Sequence, residues 1–172
     1  LVAKKLSGLD LRIIASDPGV DEATMVQHGA RPVGLDELLR TSDFISLHTP
    51  LTDGTFHLIG ERELRLCKPR AVLLNTARGK VVDEPALIKA LTEGWIAAAG
   101  LDVFEQEPTP SDNALLAMDN VVVTPHIAGI SDESWHLVRV HSVETLIALS
   151  KNQWPPWCVN PQVEPRWKLK RG

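Results

Sequence analysis

The sequence predicts an α/β fold with a doubly wound, mostly parallel β-sheet. Short β-rich runs alternate with helical stretches along the chain, which is typical of βαβ units. Two of the runs, 72–74 (Val-Leu-Leu) and 121–123 (Val-Val-Val), are continuously apolar. Such runs predict interior strands whose two faces are both covered by helices. Together, the alternation and the apolar runs favour a parallel sheet.

Six runs are strand candidates because they combine β-branched or aliphatic residues with flanking turn formers. We expect strands at residues 12–15, 31–34, 44–47, 71–75, 97–102 and 121–124.

Helix signals occupy segments between these strands. Residues 24–28 predict a short helix that Gly29 closes, and residues 35–40 predict another with leucines on one side. A longer helix is expected to begin at the cap residue Asp83, to carry a proline in its first turn and to end at Gly94. Its expected buried residues recur at helical spacing; they are Leu87, Ala90 and Leu91.

The last long helix is expected to begin after the cap residue Ser131 and to run to about Lys151. Its apolar residues predict a broad buried face; they are Trp135, Val138, Val143, Leu146 and Ile147. Prolines then predict an irregular tail, residues 152–172, whose tryptophans pack back onto the first domain. Alternatively, the tail binds a partner through a small basic cluster of Arg166, Lys168, Lys170 and Arg171. The expected domains are therefore residues 1–151 and the tail, which returns toward a part of the protein that the chain lacks.

The composition is that of an ordinary globular protein, with 44% hydrophobic and 23% charged residues among 172. The net charge of −4 predicts no basic surface for nucleic acid, and no apolar run approaches the roughly 18 to 20 residues that span a bilayer. Cys67 and Cys158 are too few and too far apart for a disulfide framework or a metal cluster. We therefore expect neither nucleic acid nor membrane as partner, no bound metal, and a reducing compartment, the cytoplasm.

The first residues of the chain predict the middle of a dinucleotide-binding unit. Residues 1–6 are expected to end a helix that Gly8 closes, and residues 11–15 to form the next strand, followed by Asp17. In Rossmann-type folds an acidic residue about 20 residues beyond a Gly-rich turn binds the adenosine ribose. Counting back about 20 residues from Asp17 leads outside the chain, so we expect the first strand and the Gly-rich turn to be missing. Alternatively, Asp17 only forms a turn at the end of its strand.

Three segments that follow strand candidates carry reactive groups. They are 75–79 (Asn-Thr-Ala-Arg-Gly), 100–108 (Gly-Leu-Asp-Val-Phe-Glu-Gln-Glu-Pro) and 124–129 (Thr-Pro-His-Ile-Ala-Gly). Open α/β sheets bind their ligands beyond the ends of strands, where these segments are expected. Reduction of a 2-keto acid needs a guanidinium for the substrate carboxylate, an imidazole as proton donor and a carboxylate that tunes the donor.

Each of these groups also has a structural interpretation. Arg78 could be a solvated surface residue, although Gly79 allows the backbone to approach a ligand. His126 could bond to a carbonyl group at the end of its strand. Glu107 could be an exposed loop acid, and Glu105 is an equally good carboxylate by chemistry alone.

Together with residues 47–52 (Leu-His-Thr-Pro-Leu-Thr), the three segments resemble the signature regions of the D-isomer-specific 2-hydroxyacid dehydrogenases. That family includes phosphoglycerate dehydrogenase, glyoxylate and hydroxypyruvate reductases, D-lactate dehydrogenase and formate dehydrogenase. The resemblance runs from Leu1 to about Lys151, and its motifs are specific because they occur in a fixed order. It implies an oxidoreductase that transfers a hydride between NAD(H) and a D-2-hydroxy acid/2-keto acid pair. It also implies a homodimer for the full-length parent.

The resemblance implies roles for individual residues. Arg78 would bind the substrate carboxylate, His126 would transfer the proton, and Glu107 would bond to the other ring nitrogen of His126 and orient it. Asp17 would select NAD because a carboxylate repels the 2′-phosphate of NADP. The cofactor-binding set that it implies is Asp17, His48, Pro50, Thr76, Ala77, Arg78, Asp102, His126 and Gly129.

Two other functions stay open at this point: an NAD-sensing corepressor-like binding protein, and an inactive truncated product. The family's N-terminal substrate domain is missing, so the catalytic residues are expected to form half of an active site. In the strand order 3-2-1-4-5-6 the missing strand is central, between residues 12–15 and 44–47. We therefore expect an open slot there, aggregation of the isolated chain and no detectable binding of NADH.

Overall fold

The structure of the chain, a computed structural model, describes residues 2–166 and 168–170, and the chain forms two units, Leu1–His126 and Ile127–Gly172. The residues outside this description are Leu1, Trp167, Arg171 and Gly172, which the sequence analysis placed in the first domain or the tail. The strands of the first unit are β1 Ile14–Ala15, β2 Arg31–Pro32, β3 Phe44–Leu47, β4 Val72–Asn75, β5 Ala98–Leu101 and β6 Val121–Val123. Its helices are α1 Val2–Leu6, α2 Glu22–Gln27, α3 Leu35–Thr41, α4 Glu61–Leu66 and α5 Glu84–Thr92, with 3-10 helices at Ser7–Leu9, Gly79–Val81 and Ala114–Ala117. The second unit contains helix α6, Asp132–Ser150.

The strand pairs of the described residues are all parallel, which confirms the predicted α/β class. Strands β3, β4, β5 and β6 form one sheet in that order, and β1 pairs with β2 in a separate sheet. Within the described residues β1 and β3 share no neighbouring strand. This break lies where the sequence analysis expected an open slot.

One face of the four-stranded sheet carries the hydrophobic core. Ile45 of β3, Leu73 of β4 and Leu101 of β5 are at most 4% exposed and form one cluster with Leu64 of α4 and Leu87 of α5. Burying a side chain of this size contributes about 1.5 to 3 kcal/mol, so this face supplies much of the stability of the first unit. The site residues therefore stand on a packed support.

The opposite face of the sheet is exposed at its two edge strands. Phe44 of β3 is 67% exposed and Val122 of β6 is 72% exposed. The expectation that residues 121–123 form an interior strand covered on both faces is therefore wrong. The physical reason is topological, since β6 is the last strand of its sheet in the described structure.

The predicted elements occur with shifted ends. The strands differ from the expected ranges by at most two residues at either end. Helix α2 begins before residue 24 because the side chain of Asp21 accepts a hydrogen bond from the amide of Thr24 and caps it. Gly8 does not close α1: it lies inside a 3-10 helix, and the chain reverses at Asp10, whose φ is 54°. Helix α4 has only six residues and was not predicted.

Helix α5 confirms its sequence signals in detail. Asp83 accepts a hydrogen bond from the amide of Ala86, and Gly94 follows the helix with a φ of 72°. The three residues expected to be buried are 0 to 6% exposed; they are Leu87, Ala90 and Leu91. The helix therefore begins and ends where capping chemistry requires.

Helix α6 is present, but the broad buried face expected for it is wrong. The five apolar residues assigned to that face are 47 to 66% exposed; they are Trp135, Val138, Val143, Leu146 and Ile147. In the described part of the second unit, α6 is the only helix, so no second helix covers this face. In the tail, Trp157 stacks on His141 of α6 at 3.9 Å and donates to Glu144. No helix of the described residues has the length and apolar content needed to cross a membrane.

Two segments of the first unit approach each other at Gly79. A Cβ atom at this position would lie 1.8 Å from the carbonyl oxygen of Phe104 and 2.6 Å from the amide nitrogen of Glu105. Only a residue without a side chain permits this approach. The turn that carries Arg78 is therefore packed directly against the backbone of the loop that carries Glu107.

We expect Gly79→Ala to destabilise the chain by about 1 to 3 kcal/mol, because the methyl group meets backbone atoms, which cannot rotate away. The matched control is Gly34→Ala, where an added Cβ meets nothing within 4 Å. Thermal melts followed by circular dichroism compare the two variants. Equal melting temperatures would contradict the close approach.

Candidate active site

The last residues of four strands lie in one hydrogen-bonded row. Leu47 of β3 pairs with Asn75 of β4, Asn75 with Leu101 of β5, and Leu101 with Val123 of β6. Because the strands are parallel, the loops that follow them all leave the sheet at the same edge. The sequence-predicted residues of the first unit beyond these strands therefore share this edge; they are His48, Pro50, Thr76, Ala77, Arg78, Asp102, Glu107 and His126.

Glu107 and His126 form the clearest pair at this edge. Oε2 of Glu107 lies 2.8 Å from Nδ1 of His126, and Oε1 of Glu107 accepts a hydrogen bond of 3.1 Å from the amide of Phe104. The bond to His126 is the main cause that lowers the pKa of Glu107, although partial burial opposes it. The carboxylate is thus charged at neutral pH and is anchored at both oxygens.

The pH dependence of this pair follows from the direction of the shift. Because the pKa of Glu107 is lowered in the folded chain, its charged carboxylate stabilises the fold. This stabilisation is fully present at pH values above the usual pKa range of glutamate. It is lost as the pH falls through the lowered pKa. The carboxylate of the pair is therefore charged at neutral pH and takes up a proton only in acid.

His126 has an unusual backbone. Its φ is 55°, in the left-handed region, and its amide donates to the carbonyl oxygen of Asp102 at 2.9 Å. A residue with a side chain pays of the order of 1 kcal/mol or more for this conformation, and such residues cluster at functional sites. Its ring is 51% exposed at the side chain, so it is open to a ligand.

Asp102 ties the ends of β5 and β6 together. Its side chain is buried, at 3% exposure, and accepts a hydrogen bond from the hydroxyl of Thr124. Its amide also donates to the carbonyl oxygen of Asn75 at the end of β4. A buried carboxylate needs such hydrogen-bond donors. The bond from Thr124 thereby fixes the end of β6, two residues before His126.

Asn75 orders the turn that carries Arg78, and the sequence analysis did not identify this role. The residue is 1% exposed; its Nδ2 donates to the carbonyl oxygen of Arg78, and its Oδ1 accepts from the amide of Ala77. The guanidinium of Arg78 is exposed and donates to the carbonyl oxygen of Ala77 at 2.6 Å. The available signal was a polar residue that ends an apolar strand directly before a turn.

Asp17 forms a turn in the structure. Its Oδ1 accepts a hydrogen bond of 2.8 Å from the amide of Gly19, as expected from the structural interpretation of this residue. The residue is exposed and follows β1, so its carboxylate is also accessible from solvent. The two interpretations are compatible, and the role of Asp17 in binding a cofactor stays a prediction.

The remaining predicted cofactor residues lie on two units. His48 is exposed, with Nε2 3.0 Å from the hydroxyl of Ser46, and the carbonyl oxygen of Pro50 accepts from the hydroxyl of Thr55. Thr76 is exposed on the first unit, whereas Gly129 belongs to the second unit. Their roles toward a cofactor stay predictions.

Glu105 has different partners from Glu107. Its Oε1 lies 2.7 Å from Nε2 of His57 and accepts from the amide of Glu84. Asp83 lies 3.8 Å from the other ring nitrogen of His57. The imidazole and the two carboxylates place atoms of the kind that bind metal ions within 4.8 Å of one another. This cluster was not predicted from the sequence, for which no metal was expected.

Comparison with known proteins identifies the family of the chain. The family model "D-isomer specific 2-hydroxyacid dehydrogenase, NAD binding domain" matches residues 1–128. A glyoxylate reductase of Korarchaeum cryptofilum is 49% identical over 94% of this chain and 49% of its own length. A glyoxylate reductase of Thermococcus litoralis is 47% identical over 94% of this chain and 49% of its own length.

Solved structures give the same result. A D-lactate dehydrogenase with NAD+ from Lactobacillus jensenii superposes with a TM-score of 0.83 at 35% identity, over 92% of this chain and 51% of that one. The chain thus spans about half the length of the relatives that it matches. The matched region contains the Arg78 turn, the Glu107 loop and His126. The chain therefore belongs to the D-isomer-specific 2-hydroxyacid dehydrogenase family, and its residues 1–128 match the NAD-binding domain of that family.

Proposed function

We propose that this chain is the NAD-binding half of an NADH-dependent 2-keto acid reductase, with glyoxylate as the first candidate substrate. The observation that carries the proposal is the Glu107–His126 pair, which stands at the carboxyl edge of the sheet together with the Arg78 turn. Glyoxylate is supported by the names of relatives 44 to 50% identical to this chain. The parent is therefore expected to reduce a 2-keto acid to the 2-hydroxy acid.

The accessible groups fit the cofactor. Asp17 at the end of β1 offers a carboxylate to ribose hydroxyls, and the carboxyl edge of a parallel sheet is the usual binding place of a dinucleotide. NADH, when bound, supplies the hydride that reduces C2 of the substrate.

The side chains have complementary tasks in the proposed reaction. Nδ1 of His126 is engaged by Glu107, so Nε2 is the ring atom that can donate a proton to the carbonyl oxygen of the substrate. The carboxylate of Glu107 stabilises the imidazolium before the transfer. The exposed guanidinium of Arg78 can bind the substrate carboxylate through two parallel hydrogen bonds. After release of the hydroxy acid, His126 recovers its proton from water.

Homodimer assembly and a cytoplasmic location complete the proposal. Family membership is their support. An NAD-sensing role of the same fold is the competing outcome of the test below.

The test supplies the half that the chain does not cover. We define the chimera as the glyoxylate reductase of Korarchaeum cryptofilum in which this chain replaces the matched region. We expect the chimera to oxidise NADH in the presence of glyoxylate. The decrease in the absorbance of NADH measures this reaction. Binding of NADH without turnover of glyoxylate, hydroxypyruvate or pyruvate would contradict the proposed reductase activity and favour an NAD-sensing role.

In the chimera we expect His126→Asn to lower kcat at least about 100-fold, because general acid catalysis commonly contributes 10² to 10⁴. Asparagine tolerates the left-handed backbone of this position, so the fold should persist. The Kd for NADH, measured by fluorescence titration, should stay within a few-fold. Near-normal kcat would remove His126 from the mechanism.

Glu107→Gln should leave the ring placed but weaken its cationic form. Since reduction needs the protonated imidazole, the rate should begin to fall at a lower pH than in the parent chimera. The pH profile of kcat measures this shift, with Glu93→Gln as the control because that carboxylate is bonded to Trp95, far along α5. An unchanged profile would contradict the assigned partnership.

Asp17→Ala should relax the preference for NADH over NADPH, since it removes a ribose acceptor and the repulsion of a 2′-phosphate. The ratio of the two kcat/KM values measures the effect. Loss of affinity for both cofactors to the same extent would show that Asp17 only shapes the turn at Gly19.

A further inference from the structure

The loop that carries Glu107 is bonded to the first turn of α5 by a reciprocal pair of glutamates. The amide of Glu84 donates to Oε1 of Glu105 at 2.9 Å, and the amide of Glu105 donates to Oε2 of Glu84 at 3.0 Å. Each residue therefore satisfies the backbone of the other across 21 positions of sequence. Both carboxylates bond to amides at or next to the N-terminus of α5, where the helix dipole stabilises negative charge.

Both carboxylates have a second partner. Oε1 of Glu84 accepts a hydrogen bond of 2.7 Å from Nδ2 of Asn113, and Oε1 of Glu105 lies 2.7 Å from Nε2 of His57. Oδ1 of Asn113 is itself occupied, because it accepts from the amide of Leu115. The amide of Asn113 thus has a fixed orientation, with its NH2 group toward Glu84.

The same stretch of loop holds the catalytic pair. Phe104 and Glu105 are adjacent: the amide of Glu105 is bonded by Glu84, and the amide of Phe104 donates to Oε1 of Glu107. The other oxygen of Glu107 bonds to His126. Hydrogen bonds and the backbone of Phe104 therefore connect Glu84 to His126 without a break.

We propose that Glu84 is a positioning residue of the proposed reduction: by fixing the backbone at Phe104 and Glu105, it aims Glu107 at His126. The role rests on the proposed function, and Glu84 would act through Glu107 and not by contact with substrate or cofactor. It requires a carboxylate, because Glu84 must accept hydrogen bonds at both oxygens. A glutamine has one acceptor only, and its NH2 group would face the NH2 group of Asn113.

This requirement gives a matched pair of substitutions. In Glu84→Gln an amide meets the amide of Asn113, and in Asn113→Asp a carboxylate meets the carboxylate of Glu84. The double variant restores one donor and one acceptor, and aspartate at 113 still accepts from the amide of Leu115. The double variant therefore distinguishes two causes of a loss of activity: the loss of the hydrogen bond between residues 84 and 113, and the loss of the particular side chain at either position.

In the chimera, we expect each single variant to lower kcat about 10-fold. The rate of each variant should also begin to fall at a lower pH than that of the parent chimera, because a misplaced Glu107 stabilises the imidazolium less. The KM for NADH should stay unchanged. The double variant should return kcat to within about 3-fold of the parent and restore the pH profile. The control is Asp83→Ala, which removes the cap of the same helix and should lower the Tm without shifting the profile.

Two results would overturn the proposal: single variants that lower the Tm but leave the pH profile in place, or a double variant that recovers nothing. A second readout does not depend on turnover. A chimera without activity would therefore contradict the proposed function, while this readout would still test the positioning role of Glu84. Carbon-13 NMR of the chimera follows the carboxyl group of Glu107, whose pKa the bond to His126 lowers. Glu84→Gln should raise that pKa toward the usual range, and the double variant should lower it again; an unchanged pKa would contradict the positioning role.

Discussion

The parallel register of β3 to β6 is the constraint on which the candidate site depends. It places the last residues of these four strands in one row, so that loops far apart in sequence leave the sheet together. The core on one face of the sheet keeps that row rigid. Because the row is fixed, short loops suffice to bring Glu107 within 2.8 Å of His126. The chemistry of the site is therefore a consequence of strand alignment.

The sequence predicted those parts that local patterns determine. Strand β3 has the predicted ends, and α5 begins after Asp83 as its capping signal required. The family resemblance selected Glu107 over Glu105, a choice that spacing left open, and the structure places Glu107 beside His126. Contacts such as that of Glu84 with Glu105 could not be predicted, because they join residues distant in sequence and leave no periodic pattern.

Burial is where prediction from the sequence failed. The apolar spacing of α6 was interpreted as a buried face, yet Leu146 is 66% exposed. Likewise, the valines of β6 predicted an interior strand, but Val122 is 72% exposed at the edge of its sheet. Apolar spacing shows which side chains favour burial, whereas actual burial depends on which other elements are present to cover them.

The contact at Gly79 has a consequence for how such a site can diverge. The Arg78 turn and the Phe104–Glu105 backbone touch without an intervening side chain, so neither can shift while the other stays in place. The turn of the group proposed to hold the substrate carboxylate and the loop of the group that orients the proton donor are thus in direct backbone contact. A sequence change that moves the Arg78 turn toward this loop would therefore also displace the backbone that holds Glu107.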